Sequence, residues 1–343
     1  AGSPLQVQAR RSAHGDAAKV GLAVHERIHR LILLLRGFAP RDKDGLCRVQ
    51  CGAVSVHHLM MVRKQQYLFS ALDQCADKRR DIRRFGYARG LPHPLADFIL
   101  DARAVKRGLR IAQAADAPVI IVHTTNRASL AEIAAARRRG QTVYVETCPQ
   151  YLALDDGVYY DPDYSSAARY VCAPPIRSQE DSEALWKALR RGEVQTISTD
   201  HCSFTLEQKD MGRDDFTKIP GGLPGVETRG EVVYTIAASE KKLSLAGVCR
   251  ALSENPAKLY GLFPRKGVIA AGSDADIVVY DPGASHVLRG AELLSKAGYT
   301  PFEGFRTNGG VSKVYLRGQL QVDGGKVVGG KMGEYLKRGK CAL

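Results

Sequence analysis

From residue 100 onward, apolar and polar positions alternate between two periods. Leu100 to Ala115 repeats with a helical spacing, placing Ala104, Leu109, Ile111 and Ala112 among small and apolar positions. Asp116-Ala117-Pro118 then turns the chain into the continuous apolar run Val119-Ile120-Ile121-Val122, closed by His123, which predicts a buried strand of parallel type. Ser129 to Arg139 reads as the next helix, stopped by Gly140, and Thr142 to Thr147 as the next strand. Ser182 to Arg191 is a third helix, followed by a strand from Thr196 that ends in Asp200-His201. Strands alternating with helices of this length form βα units. Helices are predicted from Leu243 to Leu252 and from Asn255 to Leu259. The texture then changes to short strands and turns, with strands over 277–281, 311–316 and 320–328. The expected organisation is an α/β region over 96–262 and a small β-rich domain over 263–343.

Residues 1–95 are different. Arg is abundant and Glu26 is the only glutamate. Helices are predicted over 17–35 and 65–80, and a strand over 52–61, but the periodicity is patchy. The first 100 residues hold 17 Lys and Arg against 8 Asp and Glu, and the other 243 hold 33 against 28. The net charge of +14 therefore sits mostly in this segment. No nucleic-acid-binding motif accompanies it, so nucleic acid is not an expected partner. The run Leu31 to Leu35 is too short to span a membrane, and nothing after it resembles a signal-peptidase site. The expectation is a cytoplasmic chain with no membrane contact. Eight cysteines are scattered without a CxxC pair, in keeping with reduced thiols.

The stretch from Thr196 to Arg229 concentrates the candidate chemistry. An acid and an imidazole, Asp200 and His201, end a strand, which is where a (β/α)8 barrel places catalytic groups. A charged run from Gln208 to Lys218 follows. Then comes a loop containing Gly221, Gly222, Pro224 and Gly225, suited to exposing backbone groups to a ligand. A buried strand, a solvated charged loop and a turn account for the same pattern without any chemistry.

The segments TDHCSF, QKDMGRDDFTKIP and GGLPGVETR together resemble the D-hydantoinase and dihydropyrimidinase family of cyclic amidohydrolases, from about residue 100 to the C-terminus. The resemblance implies a (β/α)8 barrel of the TIM type, incomplete on its N-terminal side because only three strands are legible, with a small C-terminal β-sandwich-like domain. It implies hydrolysis of hydantoins or dihydropyrimidines to N-carbamoyl amino acids. His123 would be a metal ligand, and Asp200 both a metal ligand and the general base, with His201 orienting it from behind. Ala173, Gly221 and Gly222 would contact the ring through their backbone. Ala173 stands where many relatives carry serine, and Gly221 where the family has asparagine. The Cys-Ala-Pro-Pro version also occurs among allantoinase-like relatives, so an allantoinase-like cyclic ureide hydrolase is an alternative.

The family implies two divalent ions, usually zinc, held by an HxH pair, a carboxylated lysine, two further histidines and the aspartate. No HxH occurs in this chain. His58 stands where the lysine is expected, with His57 and Lys64 nearby. The N-terminal part reads as a frame-shifted or truncated version of the ancestral segment. A metal-poor, non-catalytic scaffold is therefore a further alternative. His25-Glu26-Arg27-Ile28-His29 matches the helical zinc-protease spacing, but no third ligand follows it. Self-association into a dimer or tetramer is expected from the family.

Overall fold

The computed structural model describes residues 94–343, which form one compact unit apart from Arg110–Ala117. The helices predicted over 17–35 and 65–80 and the strand over 52–61 lie outside the described residues.

The chain enters through helix α1 (Pro94–Ala114). A three-stranded parallel sheet follows, with β1 (Val119–Ile121), β2 (Val143–Thr147) and β3 (Thr196–Ile197) in that order. Val119 pairs with Val143, and Glu146 pairs with Thr196. Helix α2 (Arg127–Arg138) crosses from β1 to β2, and α3 (Gln179–Arg190) leads from the connection after β2 to β3. The strands are almost wholly buried, as expected of a parallel sheet covered by its crossovers.

Local chemistry sets the helix ends. Asn126 accepts a hydrogen bond from the Ser129 amide at 2.8 Å, so α2 begins at Arg127 rather than at Ser129. Ser129, Ile133 and Ala136, spaced by four and three residues, form its buried face. Gly140, with φ of 85°, takes the left-handed turn after the helix. In α3, Leu185, Trp186 and Leu189 are buried, and the Trp186 indole donates to the Leu152 carbonyl at 3.0 Å.

Helix α4 (Arg229–Ser239) follows the glycine-rich loop. The two helices predicted around residue 254 are joined. Leu245–Cys249 and Asn255–Leu259 run into each other through a π-helical turn at Arg250–Glu254. Pro256 lacks the N–H that a continuous α-helix would use, and the wider turn absorbs the loss.

The C-terminal sheet is antiparallel, in the order β4 (Ile277–Asp281), β5 (Gly310–Leu316), β6 (Gln319–Asp323) and β7 (Lys326–Val327). The single strand expected over 320–328 is two strands, because Gly324 and Gly325, with φ of 53° and 78°, form a tight hairpin turn. This sheet docks on α4. Glu231 accepts the Val311 amide at 3.0 Å and meets His286 Nε2 at 3.3 Å, and the Tyr234 and Tyr280 rings lie 4.0 Å apart.

Candidate active site

The C-terminal ends of β1 to β3 face a cavity of about 420 Å³, lined by His123, Glu146, Thr196, Ser198, Asp200, Arg229 and Tyr260 among others. Beyond the regular strands, Thr124 N–H donates to the Glu146 carbonyl at 2.8 Å and Ser198 N–H to the Thr147 carbonyl at 2.9 Å. The Thr147 hydroxyl donates to the Thr124 carbonyl at 2.8 Å. These bonds hold the strand ends level. The strands expected to run to His123 and His201 stop at Ile121 and Ile197, and the chemistry-bearing residues follow in irregular backbone.

His123 and Asp200, the two residues expected to carry the chemistry, line this same cavity. Both have left-handed backbone, with φ of 40° and 48°. For residues with a Cβ this conformation costs roughly 1 kcal/mol or more, and such costs concentrate at functional sites. Burial holds the His123 imidazole below its ordinary value, against the opposing pull of the Asp200 and Asp101 carboxylates. Glu146, buried on β2, is pushed up by its burial and by the Asp200 charge, while Ser198 hydrogen-bonds it and opposes the shift. Arg229 donates to the Ile197 carbonyl at 3.2 Å and supplies the cationic side of the cavity. The Thr196 hydroxyl, also lining it, is buried with no partner among the described residues.

His201 lies outside this cavity and is exposed. Its Nδ1 accepts the amides of Gly225 and Val226 at 3.1 and 3.2 Å, which requires Nδ1 to be unprotonated. It pairs with Leu223 as an isolated bridge, and so fastens the glycine-rich loop to the end of β3. Ala173 and Gly221 are neighbours: a Cβ on Gly221 would sit 3.6 Å from the Ala173 Cβ. Gly222 N–H donates to the Val171 carbonyl at 3.1 Å, and a Cβ on Gly222 would meet the Cys202 carbonyl oxygen at 2.4 Å, so glycine is required there. His25, His29, His57, His58 and Lys64 lie outside the described residues.

The sequence pattern did not single out Glu146, Ser198, Arg229 or Lys209. A charged residue at the end of an apolar strand was the available signal for Glu146. Lys209 sat unnoticed in a charged run for which a solvated loop was one of two readings. The structure instead leaves it 1% exposed.

The Amidohydrolase family profile matches residues 89–324. The chain belongs to the amidohydrolase family. It is similar to a D-hydantoinase of Ralstonia pickettii, 37% identical over 318 residues, covering 91% of this chain and 67% of the relative. A D-hydantoinase of Rhizobium radiobacter is 42% identical over 243 residues, 70% of this chain and 53% of the relative. Among solved structures, a dihydropyrimidinase from Brevibacillus agri superposes with a TM-score of 0.66 at 38% identity, over 70% of this chain and 53% of that one. The chain thus spans two thirds of the Ralstonia relative and about half of the other two. Within the amidohydrolases it falls in the hydantoinase and dihydropyrimidinase group, and its fold is that group's α/β barrel with three strands among the described residues. The motifs place the resemblance from about residue 100. The family profile begins at residue 89, and the Ralstonia alignment reaches further upstream.

Amidohydrolases are in general metal-dependent. A partly buried imidazole and a carboxylate are competent donors. Among the described residues, however, no three His, Cys, Asp or Glu side chains come together as a metal site. Two donors do not hold a divalent ion tightly. The described residues alone therefore do not fit a metal centre. Among the described residues, no helix is long and apolar enough to cross a membrane.

Proposed function

We propose that this chain opens cyclic amides of the hydantoin or dihydropyrimidine type by hydrolysis, giving N-carbamoyl amino acids. The observation that carries this reading is the meeting of His123 and Asp200, each in left-handed backbone, at one cavity in a hydantoinase-like barrel. Asp200 serves as general base. It takes a proton from water as the oxygen attacks the ring carbonyl, and returns it to the nitrogen as the C–N bond breaks. His123 lines the same cavity and is assigned as a donor to the group's expected divalent metal, of which two zinc ions are the fuller expectation. The remaining donors for such a centre have to come from outside the described residues. The backbone of Ala173, Gly221 and Gly222 is assigned to the ring's amide edge, and His201 to holding their loop.

We assign residues 96–262 to the barrel and 263–343 to the small β-rich domain, with self-association into a dimer or tetramer. A second reading, a non-catalytic scaffold of hydantoinase ancestry, is favoured by the sparse donor set among the described residues.

The deciding experiment incubates the full chain, dialysed against zinc, with dihydrouracil and with hydantoin, and follows the N-carbamoyl product. Ring opening that disappears in Asp200→Asn supports hydrolysis. No product from the wild type, with no zinc retained, establishes the scaffold.

A further inference from the structure

Lys209 is a buried cation outside the cavity just described. It lies on the short helix Leu206–Asp210, whose start is fixed by a reciprocal cap. Gln208 N–H donates to the Thr205 hydroxyl at 3.3 Å, and Thr205 N–H to the Gln208 side chain at 2.8 Å. Tyr164 hydroxyl donates to the Lys209 carbonyl at 3.1 Å and ties the helix to the neighbouring segment. From there Lys209 Nζ donates to three backbone carbonyls, those of Val171 at 2.6 Å, Pro220 at 2.7 Å and Gly222 at 2.8 Å.

An ammonium has three donors and no acceptor, so these three bonds saturate it. Burying a lysine is unfavourable unless its charge is met in this way. Here all three acceptors are main-chain oxygens, from two different segments. Val171 precedes Ala173, while Pro220 and Gly222 flank Gly221. The Val171 carbonyl also accepts the Gly222 amide, so the two segments share one oxygen. The Phe204 ring, its centroid 5.6 Å from Nζ, covers the site, and Cys172 and Cys202 are the titratable neighbours.

We propose that Lys209 is a positioning residue for ring recognition, locking the segments 171–174 and 220–222 together so that Ala173 and Gly221 present their backbone as one rigid edge. This rests on the ring-opening reading of the site. A loop edge built from main-chain groups recognises a planar amide only if its donors and acceptors keep their spacing, and a saturated buried ammonium fixes that spacing without touching the ring.

The test uses the full chain, with Lys218→Met, an exposed lysine on the same stretch, as control. Amide exchange is followed at 171–176 and 219–225, with the helix at 179–190 as internal reference. In Lys209→Met, exchange in both segments should accelerate at least about tenfold while the reference helix is unchanged. The dissociation constant for dihydrouracil, measured by calorimetry, should rise about tenfold, and KM should rise with it while kcat changes less than about threefold.

Unchanged exchange in the variant, or a fall in kcat at constant KM, overturns the proposal. If Lys209→Met does not fold, the wild type decides: the lock requires the amide of Gly222 to exchange as slowly as the buried strands, and fast exchange there overturns it. A wild-type chain that does not bind dihydrouracil overturns the ring reading and with it the ring-recognition role. The exchange data still decide separately whether Lys209 locks the loops.

Discussion

The strand-end cavity and the loop pair beside it are built on opposite principles. At the cavity, His123 and Asp200 sit in left-handed backbone, Glu146 is buried against the Asp200 charge, and the Thr196 hydroxyl has no partner among the described residues. At the loop pair, Lys209 spends all three donors, His201 accepts two amides, and Gly222 fits where a side chain would clash. The first region leaves charge and strain uncompensated, whereas the second has its one buried charge fully hydrogen-bonded. The contrast teaches a division of labour: groups that must react are kept under-satisfied, whereas groups that must only hold their spacing are saturated. It also separates the expected effects of mutation, since change at the cavity alters chemistry and change at the loops alters stability and affinity.

The largest effect expected is on rate. Asp200→Asn keeps the shape and removes the base, so ring opening should fall by about 10²–10⁴-fold with little change in the unfolding midpoint in urea. A parallel loss of stability would erase the distinction between the regions. Next comes Lys209→Met, which leaves the Pro220 and Gly222 carbonyls without a donor and the Val171 carbonyl with the Gly222 amide alone, and should cost about 2–4 kcal/mol in denaturant unfolding. A loss below about 0.5 kcal/mol would show that the loops do not depend on the ammonium.

The pH dependence of that difference sharpens the comparison. Burial pushes Lys209 down to about 8 from its ordinary 10.5. Between those values the unfolded chain carries a proton that the folded chain has lost. Unfolding then takes up a proton, so stability rises with pH through this window. The stability of the wild type relative to Lys209→Met should therefore increase between pH 8 and 10.5, by at most about 1.4 kcal/mol per pH unit. A constant difference would contradict the lowered value and mean that the three carbonyls offset the burial, so that Lys209 keeps its proton as readily folded as unfolded. The smallest effect expected is that of His201→Ala, which removes the acceptor of two partly exposed amides and should cost about 1 kcal/mol while leaving the ring-opening rate constant nearly unchanged. A large loss of kcat there would move His201 into the chemistry.

Much of the cavity was legible in the sequence, and little of the lock. The apolar runs at 119–122 and 142–147 show period and length enough to read as buried strands, and a strand end is a position with chemical meaning, so His123 and Asp200 could be singled out. Lys209 could not. Its partners are main-chain carbonyls, which every residue possesses, and a lysine in a charged run reads as solvent-facing until the fold closes over it. The hairpin that splits 320–328 was marked by Gly324-Gly325, but a β-rich run around it hid the turn. The π-helical turn before Pro256 had only the proline as its mark. Local pattern predicts elements, while long-range hydrogen bonds to backbone leave no trace in residue type.

Whether strain is held where the chemistry is can be measured directly, in the thermal unfolding midpoint of Asp200→Gly against wild type. Asp200 is exposed, so glycine opens no cavity there, and it relieves the left-handed backbone. Asp200→Gly should be more stable than wild type by about 0.5–1 kcal/mol, with a midpoint raised by a degree or more. A midpoint that falls would mean that the Asp200 side chain supports the fold, and would contradict the separation of chemistry from stability on which this reading stands.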